Sequence, residues 1–418
     1  MIALSSSGLL LSFLAFSFSV SQASLVELNL KVKIQESEKV AAAWYAGWHA
    51  DEGFPLEKVP WDKYTYLTYS FAETTEDTRL LSLNGSNPEV LPKFVEAAHE
   101  NGVGALVSVG GWTGSRFFST AVGSPENRTT FVKTIVDFAT KYQLDGIDFD
   151  WEYPNNQGIG CNTISANDTE NFLLFLQELR EDSVGSDLLL TAATAISPFK
   201  DPEGNPREDV SEFAKVLDYV AIMNYDKGPN APLNDTCAEP ENQQGSAVSA
   251  VKAWSGAGIP TAQLLLGVPG YGHSFNVNQT SAFVNGSNTE LTSYPSFNSS
   301  VHLQGDSWDD APGLDVCGAE QPYGGNFNFW GVIEAGYLNE DGTPKDGVPY
   351  RFDECSQTAY VYDAERELMV SFDDAPSAQA KGKFIADTGL AGFAMWEAGG
   401  DSTNSILLDA IRDAAGFC

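Results

Sequence analysis

The chain has 418 residues, of which 43% are hydrophobic, so it can bury a sizeable core in one large domain or two ordinary ones. It carries 57 acidic against 23 basic residues, a formal net charge of -34. That balance argues against a nucleic-acid partner, because few cations are present to neutralise phosphates. A neutral polymer is compatible with this composition.

The N-terminal residues are typical of a secretion signal. An apolar segment at 9–18 is followed by small and polar residues, and Ser21 and Ala23 suit a cleavage site after residue 23. The apolar segment is well short of the ~20 residues that span a bilayer, so no membrane association is expected. The sequence therefore predicts a leader at 1–23 and a secreted, extracellular protein.

Eight β-rich runs alternate with helical patterns along the rest of the chain. The predicted strands are 40–48, 64–72, 104–111, 144–151, 188–194, 218–226, 263–272 and 390–397. The predicted helices are 126–142, 167–182, 246–257, 376–387 and 402–414. Asn167 and Glu170 fit a capping box at the start of the second helix.

Alternating strands and helices imply parallel pairing with right-handed crossovers, so eight units predict an α/β fold, a closed (β/α)8 TIM barrel. The competing fold is a doubly wound open sheet. No glycine-rich phosphate loop follows the first predicted strand, which disfavours that alternative.

More than 100 residues separate the seventh and eighth predicted strands, too many for an ordinary loop. Residues 273–355 are rich in Gly, Asn, Ser and aromatic side chains, and indicate an inserted α+β subdomain between strands 7 and 8. Residues 358–374 are typical of a hairpin leading back to the barrel. The predicted barrel segments are therefore 24–272 and 356–418.

The fourth predicted strand ends in "DGIDFDWEYP", residues 145–154, which places Asp148, Asp150 and Glu152 at every second position. Alternate strand residues share a face, so the acids point one way and the apolar residues between them point the other. The apolar set would pack against helices, leaving the acids inside the barrel at the strand end where barrel enzymes place their sites. Buried neighbouring acids couple their titrations, so at least one keeps a proton near neutral pH, as a general acid must.

Two other interpretations of this stretch conflict with its sequence. A solvated acidic turn conflicts with Gly146 and the flanking aromatic residues. A calcium loop is a stronger rival, but Tyr153 stands at the sixth loop position, where glycine is expected, and a strand does not wrap around an ion. The sequence thus predicts no metal site, and no cofactor is expected.

Two further features fit secretion. Asn-x-Ser/Thr sequons occur at Asn84, Asn127, Asn167, Asn234, Asn278, Asn285 and Asn298, a density typical of a glycoprotein. The five cysteines include no Cys-x-x-Cys pair, which disfavours zinc or redox chemistry. We expect disulfides Cys161–Cys237 and Cys317–Cys355, with Cys418 left over.

The acidic stretch resembles the Asp-Gly-x-Asp-x-Asp-x-Glu signature of glycoside hydrolase family 18, the chitinases and their relatives. Other segments match the family's motifs in order: "SVGGW" (108–112), "MNYD" (223–226), "GVPGYG" (267–272) and "GFAMWE" (392–397). The resemblance covers residues 40–415 or so. It implies a TIM barrel with an α+β insertion.

The resemblance also implies roles for the matching residues. Glu152 would protonate the glycosidic oxygen of the leaving sugar. Asp150 would orient the substrate's own N-acetyl group, whose carbonyl oxygen attacks the anomeric carbon, while Asp148 would share a proton with Asp150. Tyr225 would hydrogen-bond the acetamido group. Family 18 is a known exception to the two-carboxylate rule of glycosidases.

Six residues are expected to bind substrate: Trp112, Trp396, Asp226, Met223, Tyr45 and Tyr271. The resemblance implies that Trp396 forms the floor beneath the sugar and that Asp226 contacts it. Flat aromatic side chains can cover the apolar faces of pyranose rings. Trp112 is favoured because it follows a strand-ending Gly-Gly, whereas Tyr45 and Tyr271 fit the core about equally well.

Three histidines are not assigned to the site. His273 stands where many family members carry arginine, and it is not placed among the substrate-binding residues. His49 and His99 are expected to be solvated loop residues.

The resemblance implies a secreted, monomeric chitinase acting on chitin or N-acetylglucosamine oligosaccharides. One alternative is a chitin- or glycan-binding lectin on the same fold, but such relatives usually lose the acid that Glu152 supplies here. The other is an endo-β-N-acetylglucosaminidase acting on N-glycans, with the same mechanism and a different cleft.

Overall fold

A computed structural model describes residues 39–417. The predicted leader and Cys418 lie outside the described residues. Eight parallel strands form a barrel: β1 (Val40–Ala46), β2 (Tyr66–Thr74), β3 (Gly104–Gly110), β4 (Gly146–Asp150), β5 (Leu189–Thr194), β6 (Tyr219–Ile222), β7 (Leu264–Pro269) and β8 (Gly392–Trp396). β1 pairs with both β2 and β8, which closes the barrel and confirms the predicted TIM fold.

The barrel carries six main helices: α1 (Leu91–Glu100), α2 (Pro125–Tyr142), α3 (Asp168–Glu181), α4 (Ala247–Gly256), α5 (Ala375–Thr388) and α6 (Ile406–Ala415). Five match the predicted helices, whereas α1 was not predicted. The stretches after β1 and β5 contain only short 3-10 turns in place of full helices, such as Gly47–Ala50 and Phe213–Lys215.

The predicted capping box at α3 is wrong, because the side chain of Asn167 makes no capping hydrogen bond. The next residue, Asp168, is buried and accepts a hydrogen bond of 2.6 Å from Ser119 and one of 2.9 Å from the backbone of Ser165. Asp168, and not Asn167, therefore holds the loop after β4 by side-chain hydrogen bonds.

Hydrophobic side chains fill two layers, one inside the barrel and one between strands and helices. The interior layer includes Val40, Ala42, Trp44, Tyr66, Leu106 and Leu265. Ile147, Phe149 and Trp151 belong to the outer layer, where the ring of Trp151 stacks on Phe118 at 5.0 Å. Burying each such side chain stabilises the fold by about 1.5–3 kcal/mol. This burial fixes the opposite face of β4 toward the barrel interior.

The insertion is built on a five-stranded antiparallel sheet. In spatial order its strands are Asn326–Asn328, Tyr271–Asn276, Leu368–Phe372, Thr358–Asp363 and Tyr350–Asp353. The short helices Gln279–Ala282 and Phe329–Glu334 complete an α+β arrangement. The sheet starts before residue 273 and continues beyond 355, since the hairpin at 358–372 pairs within it and does not merely return to the barrel.

The predicted disulfide pairing is wrong. The bonds are Cys161–Cys317 and Cys237–Cys355, with Cα atoms 5.6 and 6.3 Å apart, within the usual range for a disulfide. Cys161 lies in the loop after β4 and Cys237 in the loop after β6, while both partners lie in the insertion. Each bond thus joins a barrel loop to the insertion.

Within residues 39–417, no helix has the length and apolar character needed to cross a membrane.

Candidate active site

The three acids of the β4 motif lie in a row at the carboxyl end of the barrel. Asp148 and Asp150 face inward on β4, and Glu152 lies two residues beyond the end of the strand. All three are buried, with 1%, 4% and 9% of their surface exposed. The alternation predicted from the sequence therefore places them on one face, and the outer packing of Phe149 and Trp151 holds that face inward.

Asp148 is the deepest of the three and is fully satisfied by hydrogen bonds. Its Oδ2 accepts from Ser108 Oγ at 2.7 Å and from Trp44 Nε1 at 3.1 Å, and its Oδ1 accepts from Thr191 Oγ1 at 2.6 Å. Ser108 and Thr191 stand beside it in register on β3 and β5. Burial raises the pKa of Asp148 above its ordinary value, and the three donors oppose that rise.

Asp150 lies between the other two acids and has the most perturbed carboxyl group. Its Oδ1 is buried and finds no hydrogen-bond partner among the described residues. Burial raises the pKa of Asp150 well above its ordinary value, and the adjacent charges of Glu152 and Asp148 raise it further. The row therefore holds at least one proton near neutral pH, shared by coupled groups.

Glu152 lines the cavity and has a raised pKa. Burial raises its pKa to about 7, a hydrogen bond with Tyr153 opposes the rise, and the charge of Asp226 adds to it. A carboxyl group with a pKa near 7 retains its proton in mildly acidic solution and can release it to a substrate. This is the property that a general acid requires.

A cavity of about 580 Å³ opens above the acid row. The predicted site residues that line it are Trp112, Asp150, Glu152, Met223, Tyr225, Asp226, Tyr271 and Trp396. Asp148 does not line the cavity, and neither does Trp44, one of its hydrogen-bond donors. Eight predicted residues are thus brought together from the ends of several different barrel strands.

Aromatic rings line one side of this cavity. The ring of Trp396, at the end of β8, stacks on Phe71 at 5.4 Å and lies 6.0 Å from Trp44. Trp48 packs against Phe71 at 6.2 Å, and Trp112 stands at the rim with 50% of its surface exposed. Phe71 was not predicted, although its place near the end of β2 gave a signal comparable with that of Trp396 at the end of β8.

Polar and aromatic groups from β6 and the insertion form the opposite side. Tyr271 Oη donates to Asp226 Oδ1 at 2.7 Å, and Nε2 of His273 lies 2.6 Å from the same oxygen. Burial disfavours the ionised form of Asp226, but the bonds from His273 and Tyr271 outweigh it and hold its pKa below the ordinary value. Burial raises the pKa of Tyr225 well above its usual range, so its hydroxyl stays a donor. His273 contacts Asp226 and does not line this cavity itself.

Tyr45 does not belong to the site. Its ring is fully buried in the outer layer, 5.5 Å from Phe94 and 6.1 Å from Tyr69, and its hydroxyl donates to the carbonyl oxygen of Phe54. The neighbouring Trp44 takes the inward position on β1, since strand residues alternate between faces. Trp44, which was not predicted, reaches Asp148 instead.

Two histidines expected to be solvated have specific partners. His99 Nε2 lies 2.9 Å from Asp145, just before β4. His49 Nδ1 lies 3.0 Å from Glu397 Oε1, and its ring stacks on Trp308 of the insertion with centroids 3.7 Å apart. The prediction of solvated side chains was wrong for both.

No group of three or more potential metal ligands is found among residues 39–417. The acids of the row instead accept from hydroxyl and indole donors or face one another. Their arrangement suits proton transfer.

The family model described as glycosyl hydrolases family 18 matches residues 40–401. The chain belongs to this family. Its relatives include two proteins named "chitinase-like effector". The one from Moniliophthora roreri is 56% identical over 94% of this chain and 97% of its own length. The one from Moniliophthora perniciosa is 55% identical over 91% of this chain and 88% of its own length.

Among solved structures, a chitinase from Rhizomucor miehei superposes with a TM-score of 0.79 at 33% identity, covering 90% of this chain and all of that one. Three residues outside the predicted site hold the deepest acid of the row in place. Ser108, Thr191 and Trp44 each donate to Asp148 from a different strand. Ser108 is the first residue of the "SVGGW" motif, and its contact with Asp148 depends on strand pairing that a local motif does not reveal.

Proposed function

We propose that this family 18 protein hydrolyses β-1,4 bonds between N-acetylglucosamine units of chitin by retaining, substrate-assisted catalysis. The observation that carries the proposal is Glu152, a buried carboxyl group with a pKa near 7 at the floor of the aromatic-lined cavity. Trp396 and Phe71 offer flat apolar surfaces suited to sugar rings.

In the first step, Glu152 gives its proton to the glycosidic oxygen as the bond from that oxygen to the anomeric carbon breaks. The carbonyl oxygen of the substrate's acetamido group forms a new bond to the same carbon, giving a cyclic oxazolinium ion. Asp150 accepts the acetamido N–H and stabilises the positive charge, and Tyr225 donates to the acetamido oxygen. Asp148 and Asp150 together retain one proton, so the row avoids three adjacent charges.

In the second step, a water molecule attacks the anomeric carbon and gives its proton to the Glu152 carboxylate. The oxazolinium ring opens, the acetamido group is restored, and Glu152 regains the proton it had donated. Two displacements on the same carbon return the original β configuration.

The test replaces Glu152 with Gln, which keeps the shape and removes the proton. We expect turnover of chitin oligomers to fall by about 10²–10⁴-fold or more while binding persists. Glu181→Gln, on the exposed end of α3, is the matched control and should behave as wild type. Turnover of Glu152→Gln within tenfold of wild type would remove this residue from the acid role.

A second candidate function is glycan binding without turnover. It is favoured by the name of the two similar relatives, "chitinase-like effector". The same cavity would then hold chitin fragments. Wild-type protein that binds the oligomers but releases no shorter products over hours would support this candidate and overturn hydrolysis.

Product analysis also separates chitin from N-glycans as substrates. We expect chitin oligomers of defined length to be shortened and a high-mannose N-glycan to be left intact. Cleavage of the N-glycan core in preference to chitin would assign the protein to endo-β-N-acetylglucosaminidase activity instead.

We further propose that the protein is secreted as a monomeric glycoprotein. The leader-like residues 1–23, the seven sequons and the two disulfides support this placement. N-terminal sequencing of protein from a culture supernatant should begin at residue 24, and its apparent mass should fall on enzymatic deglycosylation.

A further inference from the structure

The cleft does not end at Asp226. Two smaller cavities, of about 340 and 320 Å³, lie beyond it between the loop after β6 and the insertion. The first shares Asp226 and Lys227 with the central cavity, and the second shares Gln244 with it. Both distal cavities are lined by Phe275 and Phe297, so these two residues stand between them. The three cavities thus adjoin one another from the acid row to this aromatic pair.

The strand Tyr271–Asn276 connects the two regions. Tyr271, His273 and Phe275 occupy alternate positions and therefore one face of the strand. Tyr271 lines the central cavity, His273 contacts Asp226, and Phe275 lines both distal cavities. At about 3.3 Å per residue, the span from Tyr271 to Phe275 is about 13 Å, longer than one pyranose ring.

Phe297 is an unusual surface residue. It is 53% exposed, and its ring packs edge-on against Phe275 with centroids 5.1 Å apart. Phe275 supports one side of the ring and leaves the rest open to the cavities. A large aromatic side chain held in place at the rim of a cleft is characteristic of a ligand contact.

Polar side chains surround the aromatic pair. Lys227, Asn242 and Gln244 lie on the barrel side, and His302 and Tyr323 lie on the insertion side. Amide, hydroxyl and imidazole groups around an apolar ring match a sugar, whose hydroxyls lie at the edge and whose faces are apolar. In a chain with a net charge of -34, the mixed and largely uncharged lining also favours a neutral ligand.

We propose that Phe275 and Phe297 form a distal platform that binds sugar rings of the same oligosaccharide that occupies the central cavity. This inference rests on the proposed function, since it takes N-acetylglucosamine oligomers as the ligand. The platform lies across the barrel mouth from the rings of Phe71 and Trp112, because Phe71 is in β2 and Trp112 lies just after β3, whereas Asp226 lies in the loop after β6. A bound chain therefore crosses the acid row and continues onto Phe297, which adds affinity for long oligomers only.

The test compares the trimer and hexamer of N-acetylglucosamine by calorimetry, in protein that also carries Glu152→Gln so that no ligand is consumed. Phe297→Ala should weaken hexamer binding about three- to tenfold, the value of one aromatic contact, and leave trimer binding unchanged. Phe297→Trp should restore hexamer binding. Leu314→Ala is the control, because Leu314 is 70% exposed in the insertion and lines none of these cavities.

The outcomes separate the platform from the catalytic proposal. Hexamer binding by Phe297→Ala equal to that of Leu314→Ala, or equal weakening of trimer and hexamer, overturns the platform and leaves hydrolysis standing. A hexamer-specific loss supports the platform even if the wild type hydrolyses nothing. Failure of the parent Glu152→Gln protein to bind either oligomer overturns the platform and the proposed ligand together.

One competing occupant is the protein's own N-glycan. Asn298 is the sequon residue next to Phe297 and is exposed. Ser300→Ala removes that sequon without changing the platform. A hexamer effect of Phe297→Ala that disappears in the Ser300→Ala background would assign the platform to the attached glycan and overturn the proposal, whereas a persistent effect supports it.

Discussion

His49 and Glu397 form a contact that joins three parts of the molecule. Nδ1 of His49, in the turn after β1, lies 3.0 Å from Oε1 of Glu397, the buried residue that follows β8. Nε2 of His49 accepts a hydrogen bond of 3.0 Å from the indole of Trp48, so Nδ1 carries the proton and donates to Glu397. The ring of Trp308, from the insertion, covers the imidazole. His49 therefore fixes Trp48 beside the aromatic side of the cavity.

Replacing His49 with Ala should destabilise the protein by about 1–3 kcal/mol, because Oε1 of Glu397 loses its donor while the carboxylate stays buried. The free energy of unfolding in urea measures this effect. His302→Ala, at an exposed position, is the control and should change stability by less than about 0.5 kcal/mol. Equal stability of the two variants would mean that the His49–Glu397 contact contributes nothing measurable.

Activity should be greatest in mildly acidic solution. Glu152 must be protonated to act as the acid, and its pKa is raised by burial to about 7. The protonated fraction is complete below that pH and falls as the pH rises through it, so kcat/KM should drop by about tenfold per pH unit at higher pH. A pH profile of oligomer hydrolysis checks the position of this limb. An optimum above pH 8 would contradict the assignment.

The substrate's acetyl group should be essential. Asp150 lies on the same strand face as Glu152, beside it and not across the sugar from it, so it is poorly placed as a nucleophile. Fully de-N-acetylated chitosan and cellulose oligomers should therefore resist cleavage even where they bind, while chitin oligomers should release the β-anomer first. NMR of the earliest products distinguishes the anomers. Thiazoline analogues of the cyclic intermediate should inhibit competitively, and initial release of the α-anomer would defeat the mechanism.

Lys381 and Asp373 form a buried ion pair away from the cavity, and the pair should contribute to stability. Both side chains are almost fully buried, and burial raises the pKa of Asp373 to about 6 despite the opposing charge of Lys381. Lys381→Met alone should cost about 3–5 kcal/mol, because it leaves a carboxylate buried without a partner. The double variant Asp373→Asn with Lys381→Met should recover most of that loss in urea unfolding. A double variant no more stable than Lys381→Met would show that the charge is not what destabilises the single variant.

The barrel could be predicted from the sequence because its strands are short apolar runs separated by helical patterns. Strand ends were less certain: 218–226 was predicted where β6 covers only Tyr219–Ile222, since the apolar pattern continues past the last ladder pairing. α1 was not among the predicted helices. The hairpin at 358–372 was recognised, but its pairing with Tyr271–Asn276 involves residues almost a hundred positions apart, which no local pattern reveals.

The acid row was predictable because alternation on one strand fixes its face. Site residues whose position depends on contacts distant in sequence could not be predicted in this way. Tyr45 and Trp44 are both aromatic, so composition alone could not decide which one faces Asp148. Phe71 and His49 acquire their roles from Trp396 and Glu397, which lie more than 300 residues further along the chain. The disulfide pairing was also unpredictable, because each bond joins a barrel loop to the insertion and depends on contacts that are distant in sequence.

The two disulfides make the attachment of one wall of the cleft depend on an oxidising environment. The barrel closes through the ladder between β1 and β8 and needs no covalent link, whereas the insertion is fastened to the loops after β4 and β6 by Cys161–Cys317 and Cys237–Cys355. In a reducing compartment those two attachments would be thiols. The same chain would then keep its acid row, but the wall bearing Trp308 and Phe297 would be held only by its two backbone connections and by non-covalent contacts. Capture of long chains, more than proton transfer, would depend on where the protein folds.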